Sequence, residues 1–169
     1  MSSHNFSPAG PDESIVHGSC RPGYRSGDTS AAAVDEWIQH MQTEGIERVC
    51  CLLDQKRDKY DALIEQYEHA FGEENACHAP IPDYSTVSEQ TLTETILPFL
   101  NDSVAMGAPV VVHCSAGLGR TGHVLALWLA ANRDYSLDGA IDAVRDMGRH
   151  PLEATTRADL QQLLDAYNS

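Results

Sequence analysis

The chain has 169 residues and carries 25 acidic against 11 basic side chains, a net charge of −14. That length holds one domain with a core that needs no staples, and so acidic a surface repels nucleic acid and anionic membrane. No window approaches the ~18 continuous apolar residues of a membrane span, and the first residues lack the basic-then-apolar layout of a signal peptide.

The five cysteines (Cys20, Cys50, Cys51, Cys77, Cys114) show no Cys-x-x-Cys spacing. Neither a disulfide framework nor a zinc site is expected, and the location expected is cytoplasmic. Lys56 and Lys59 are the two lysines. A surface so acidic and Lys-poor resembles those of proteins from salt-loving organisms, and an ordinary acidic cytosolic protein fits it equally.

Residues 1–14 hold Ser, Pro, Gly and Asn without an apolar period, which predicts a loose tail ahead of a single domain over 15–169. Ile15-Val16-His17 is a short strand candidate. Arg21-Pro22-Gly23-Tyr24-Arg25-Ser26-Gly27 forms a loop by its Pro and Gly content, and its two arginines and tyrosine are candidates for one wall of an anion pocket. Val34, Trp37, Ile38 and Met41 repeat at helical spacing up to Gly45. Arg48–Leu53 predicts a strand in which Cys50 and Cys51 point to opposite faces, at least one of them into the core. Asp54–Asp58 is a charged loop. Tyr60, Leu63, Ile64, Tyr67 and Phe71 mark a second helix ending at Gly72, and Ala76–Ala79 is a third strand candidate.

Pro80-Ile81-Pro82-Asp83-Tyr84-Ser85 is held extended by two prolines, a setting that presents a carboxylate or caps a turn. Ser88–Met106 has a helical period that Pro98 must kink or break in two. Three β-branched residues, Val110-Val111-Val112, then predict a buried strand running into His113-Cys114-Ser115-Ala116-Gly117-Leu118-Gly119-Arg120-Thr121-Gly122. The following residues are apolar on nearly every face, as in a buried central helix.

A strand that feeds a Gly-rich loop and a helix leaves backbone N–H groups unpaired at the helix start, where the dipole also favours an anion. Cys114 opens that loop in a field that favours thiolate, and Arg120 closes it with a planar fork of donors matched to phosphate oxygens. Gly117-x-Gly119-x-x-Gly122 also satisfies the dinucleotide-binding pattern. Only helical patterns follow it, so the second strand of such a unit is missing. Leu137, Ala140, Ile141, Val144 and Met147 share one face of a helix capped by Ser136, and Thr156-x-x-Asp159 caps the last helix. The pattern predicts an α/β fold with a mixed central sheet of four or five strands flanked by helices, its anion loop between a buried strand and a central helix.

His113-Cys114-(five residues)-Arg120-Thr121 resembles the signature of the cysteine-dependent protein tyrosine phosphatases, and the short chain points to their dual-specificity branch. The resemblance implies a phosphocysteine intermediate at Cys114. It implies equatorial phosphate oxygens held by the backbone of Ser115, Ala116, Gly117, Leu118, Gly119 and Arg120. Thr121 would steady the thiolate, and His113 would fix the loop's shape. Asp83 matches the mobile-loop acid of the family. In the family the position of Arg21 and Arg25 often borders the substrate cleft, which makes them candidates for substrate contact, and a solvated surface loop fits them equally. Tyr84 is a candidate for lying along the substrate ring. The linker Gly148–Glu153 falls where the family places a loop facing the site, often with a Gln that aims water. No match is present, since Gln161 and Gln162 fall in the last helix. One of the other cysteines is a candidate partner for oxidised Cys114.

No metal or cofactor is implied. The expected substrate is a phosphorylated protein, phosphotyrosine first and phosphoserine or phosphothreonine second, because Ser115, Ala116 and Leu118 carry no charge. A small non-protein phosphoester and a phosphate-binding module without turnover are the alternatives.

Overall fold

In the computed structural model of the chain, which describes residues 3–54 and 60–169, Val110–Val112 lie mid-sheet. Five strands, β1 (Ser7–Pro8), β2 (Val16–Ser19), β3 (Arg48–Cys51), β4 (Ala76–His78) and β5 (Val110–His113), are ordered β1-β2-β5-β3-β4. β1 runs antiparallel to β2, and the other pairs are parallel. This is the mixed sheet the sequence predicts. The charged run expected at Asp54–Asp58 lies outside the described residues beyond Asp54.

Both faces are covered, as a parallel sheet requires. Helices α1 (Ala31–Thr43) and α2 (Leu63–Phe71) cover one face. There Val34, Trp37, Ile38, Met41 and Tyr67 pack with Val49, Cys51 and Val111. On the other face, α4 (Leu97–Met106), α5 (Arg120–Asn132), α6 (Leu137–Asp146) and α7 (Arg157–Asn168) pack against Cys50, Leu52, Val110 and Val112. The period of two along β3 and β5 divides their residues between these layers. Cys50 and Cys51 are therefore both fully buried, back to back. Helix α5 crosses the middle of its layer, with Val124–Leu129 all buried.

Two expectations are corrected. The interruption expected at Pro98 lies upstream of it. The three-residue α3 (Glu89–Thr91) passes through a π-turn at Leu92–Ile96 into α4, where Pro98 is the second residue. In the first turn of α4 proline's missing N–H costs no intrahelical bond, and the wider turn before it leaves room for the ring. Residues 3–14 are not a loose tail. A turn at Ser3–Asn5 leads into β1, which pairs with β2 through Ser7↔Gly18 and Pro8↔His17. Ala9 is fully buried, and Glu13 accepts from the N–H of Ile15 and Val16 while pairing with Arg133 at 2.9 Å. Polar groups tie this segment down, and hydropathy does not register them.

Candidate active site

β5 ends at His113, and the chain turns through Cys114–Gly119 before α5 begins at Arg120. The bend requires Gly117, whose φ is +82° and where a Cβ would lie 2.3 Å from Ser19 O. Each carbonyl of the turn has a donor behind it. Cys114 O meets His113 Nδ1 at 2.9 Å, Ser115 O accepts from Arg21 N at 2.8 Å and Ala116 O from Asn5 Nδ2 at 2.9 Å. Gly117 O accepts from Arg149 Nη1 at 2.5 Å, Leu118 O from His150 N at 3.1 Å and Gly119 O from His123 N at 2.9 Å. In a trans peptide the carbonyl and the next N–H point in opposite directions. With these carbonyls held from behind, the N–H groups of Ser115–Arg120 converge on the front, a fixed cradle for an anion.

The support is buried. His113 is fully enclosed, and burial pushes its imidazole down to about 4, so the ring is neutral. Its Nδ1–H donates to Cys114 O, which leaves Nε2 to accept the Tyr67 hydroxyl at 2.9 Å. Arg149 is 1% exposed and reaches Asn5 O and Ser7 Oγ as well as Gly117 O. Burial pulls its guanidinium down to about 10, so it stays charged at neutral pH and puts a cation behind the cradle. Gly18 makes room for it, since a Cβ there would lie 2.8 Å from Arg149 Cζ and 2.9 Å from Thr121 Cγ2. Among the described residues, the buried Thr121 hydroxyl has no hydrogen-bond partner.

In front of the turn is a cavity of about 140 Å³, with Cys114, Arg120, Asp83, Tyr24, Tyr84 and Glu153 in its lining. Ser115, Ala116 and Gly119 also line it, and the carbonyls of Gly117 and Leu118 are bonded on the side away from it. Arg120, 5% exposed, donates to Ile81 O at 2.9 Å and pairs with Asp83 at 3.4 Å, which fastens the Pro80–Ser85 segment over the site. Tyr84 has φ 57° and Asp83 Oδ1 accepts its N–H; the ring is 71% exposed at the mouth.

Neither Arg21 nor Arg25 lines the cavity. Arg21 braces the loop through Ser115 Oγ and Tyr60, Arg25 binds Asn5 Oδ1 at 3.0 Å, and Tyr24 between them faces the site. Cys20 follows the Ser19↔His113 register, which places it beside Cys114, and burial pushes its thiol up to about 11. Cys50 and Cys77 hydrogen-bond each other across β3 and β4.

Four contributors escape sequence reasoning: Asn5, His123, Arg149 and Glu153. His123 is 1% exposed, and burial holds it down at about 4; its Nε2 accepts Val87 N–H at 3.1 Å and its ring bonds the Gly119 backbone. It thus links the end of the cradle to the segment after Asp83. Glu153 reaches over Gly119, with Oε1 2.9 Å from where a Cβ would stand. Its loop is pinned by Arg149 and by His150 N to Leu118 O. The one sequence signal for any of them was the position of the Gly148–Glu153 linker. Together the groups bring a thiol at Cys114, a turn of backbone N–H groups with a guanidinium, and a carboxylate to one cavity, a set whose chemistry suits in-line phosphoryl transfer.

A family model described as "Polymorphic toxin system, DSP-PTPase phosphatase" (Tc-R-P) matches residues 23–133, a span that leaves out Asn5, Arg149 and Glu153. The chain is 36% identical to the uncharacterized protein MJECL20 of Methanocaldococcus jannaschii over 69 residues, 41% of this chain and 44% of that one. It therefore matches less than half the length of that relative. Tk-PTP in its active form superposes with a TM-score of 0.71 at 26% identity, covering 99% of this chain and 97% of its own. Kinase associated phosphatase superposes with a TM-score of 0.76 at 20% identity over 91% and 88% of the two chains, a likeness of fold.

Proposed function

The chain belongs to the DSP-PTPase phosphatases of the polymorphic toxin family, and from that premise we propose that it hydrolyses phosphotyrosine in proteins through a phosphocysteine at Cys114. The observation that carries this reading is that Cys114, Arg120 and Asp83 line one cavity, with the backbone cradle at its floor. In the first step the Cys114 thiolate attacks phosphorus as the bond to the tyrosine oxygen breaks. Asp83 gives that oxygen its proton. In the second step a water oxygen attacks phosphorus, its proton passes to Asp83, and the S–P bond breaks to return the thiolate. Arg120 and the N–H groups of Ser115–Arg120 hold the equatorial oxygens as charge moves onto them.

The Thr121 hydroxyl, buried with no hydrogen-bond partner among the described residues, is free to turn its proton towards the thiolate and so ease its departure in the second step. His113 and Arg149 keep the cradle in shape and transfer no proton. The reaction needs no metal or organic cofactor, and its thiolate needs a reducing compartment, hence a cytoplasmic site. Substrate choice follows from the mouth. Tyr24 and Tyr84, 38% and 71% exposed, offer ring faces to a phenyl group. Ser115, Ala116 and Leu118 are uncharged and Glu153 is acidic, a poor setting for a substrate with several phosphates.

The test is turnover of phosphotyrosine, phosphoserine and phosphothreonine peptides and of small phosphoesters, with and without a chelator, by wild type and Cys114→Ser. Phosphotyrosine peptides are turned over fastest, the chelator has no effect, and Cys114→Ser is inactive while still binding phosphate. Turnover by Cys114→Ser refutes the nucleophile, and a preferred small phosphoester moves the substrate class.

A further inference from the structure

The six carbonyls behind the cradle are not held alike. Ser115 O, Leu118 O and Gly119 O accept from backbone N–H groups, and Cys114 O faces the neighbouring ring of His113. Ala116 O and Gly117 O are held by side chains from distant parts of the chain, Asn5 and Arg149. The peptide between Ala116 and Gly117 precedes a glycine, which tolerates either sign of φ; so does Leu118–Gly119, but its carbonyl accepts from the backbone N–H groups of His150 and Gly122, whereas Ala116 O is held by a side chain. A turned peptide would present a carbonyl, not an N–H, to a bound phosphate.

Asn5 is built into its place. Its neighbours on all sides are polar and directional: Oδ1 accepts from Arg25 Nη2 at 3.0 Å, Nδ2 donates to Ala116 O at 2.9 Å, and its own carbonyl accepts from Arg149 Nη2 at 3.0 Å. The orientation of the amide is set by chemistry, since a guanidinium only donates and a carbonyl only accepts. His4 and Asn5 both have left-handed backbones, φ 60° and 50°, a conformation that asparagine tolerates best among side-chain-bearing residues and that persists where surroundings over-determine it. His4 O accepts from Cys20 N at 2.8 Å, so the turn is anchored beside the cradle before Asn5 reaches it.

We propose that Asn5 is a positioning residue of this phosphatase: the segment Ser3–Pro8 acts through its amide to hold the Ala116–Gly117 peptide with the N–H of Gly117 directed at the phosphate. The proposal rests on the reading of Cys114–Arg120 as a phosphate cradle and adds to it a part of the chain beyond the matched family span. Arg149 does the same for the next peptide, and Asn5 O in turn steadies Arg149. Asn5 transfers no proton and touches no substrate. Its effect passes entirely through the direction of one N–H.

Asn5→Asp is the sharpest variant. It keeps an acceptor for Arg25 but sets a carboxylate oxygen against Ala116 O, which drives the peptide to turn. The probes are inorganic phosphate and tungstate as competitive ligands, aryl phosphates with good and poor leaving groups as substrates, and thermal melting. Asn5→Asp is expected to lose about tenfold or more in oxyanion affinity, as for one charge-assisted hydrogen bond. Its kcat/KM should fall on the order of 10²-fold, as when an oxyanion donor is removed. The fall is the same for good and poor leaving groups, because Asp83 is untouched. Asn5→Ala loses less, and Arg157→Ala, in an exposed ion pair with Asp138, loses nothing.

Folded Asn5→Asp with oxyanion affinity within about twofold of wild type overturns the inference. So does a loss that only tracks the unfolded fraction, or failure of both the Asp and the Ala variants to fold, which would make the segment purely structural. A wild type that binds neither phosphate nor tungstate refutes the cradle reading itself.

Discussion

Lowering the pH from 7 to 5 should destabilise the protein through His113 and His123. Both rings are buried and held down at about 4, with burial the largest cause, against 6.5 for an exposed histidine. Their folded pKa values are depressed, so below 6.5 the unfolded chain takes up protons that the folded chain refuses. The stability they allow is complete above pH ~6.5 and drains away as pH falls towards 4. At pH 5 each ring costs about 2 kcal/mol, rising to about 3 kcal/mol below pH 4. Protonation also removes the lone pair with which His123 accepts Val87 N–H, so the segment bearing Asp83 loosens from the cradle as stability falls. The assay is urea unfolding at pH 7, 6 and 5 for wild type and His123→Gln. Carboxylates titrate in both proteins and cancel in the difference. Wild type should lose about 2 kcal/mol more than the variant between pH 7 and 5. Parallel curves would refute the assignment of a buried neutral His123.

Asp83→Asn should slow tyrosine phosphate by roughly 10²–10⁴, the contribution of a general acid, and an activated aryl phosphate much less. Equal slowing of both, or leaving-group dependence in Asp54→Asn instead, moves the acid elsewhere. Glu153→Gln removes an exposed charge beside the phosphate and should lower KM for dianionic substrates by roughly two- to fivefold in dilute buffer, an effect that vanishes at molar salt. A KM unchanged at low salt would place that carboxylate out of range. Gly117→Ala, with its Cβ driven onto Ser19 O, should abolish oxyanion binding; a variant that binds phosphate normally would contradict the φ of +82°. If the net charge of −14 is an adaptation to salt, thermal stability should rise from dilute to molar KCl as self-repulsion is screened. A flat or falling melting temperature would remove that idea.

The cradle was legible because its chemistry is contiguous. One strand, one turn and one helix start carry Cys114, the N–H groups and Arg120, and local geometry makes them an anion site wherever the fold places them. The layer structure was legible for a similar reason. Alternation along Arg48–Cys51 and Val110–His113 and the helical period of Val34–Met41 report burial directly, so the α/β class and at least one buried cysteine follow from pattern; both are buried because helices cover both faces.

Other features depended on polar contacts between residues far apart in the chain, which carry no period. Hydropathy marked residues 1–14 as a tail, yet Asn5 donates to Ala116 O of the turn and Asn5 O and Ser7 accept from Arg149 behind it. Arg149 belonged only to the Gly148–Glu153 linker by sequence, and its burial depends on Gly18, far upstream, which vacates the space it fills. Arg21 and Arg25 were chosen by charge, but the loop turns Tyr24 to the cavity and spends both guanidiniums on bracing. Glu153 reaches the site because Arg149 and His150 pin its linker to Gly117 and Leu118. By itself the sequence placed Cys114, the loop N–H groups and Arg120 in one short stretch, since a strand, a turn and a helix start bring them together locally. The tertiary structure decided which distant side chains, Asn5 and Arg149, hold the carbonyls of that turn, because those hydrogen bonds need partners that only folding brings within reach.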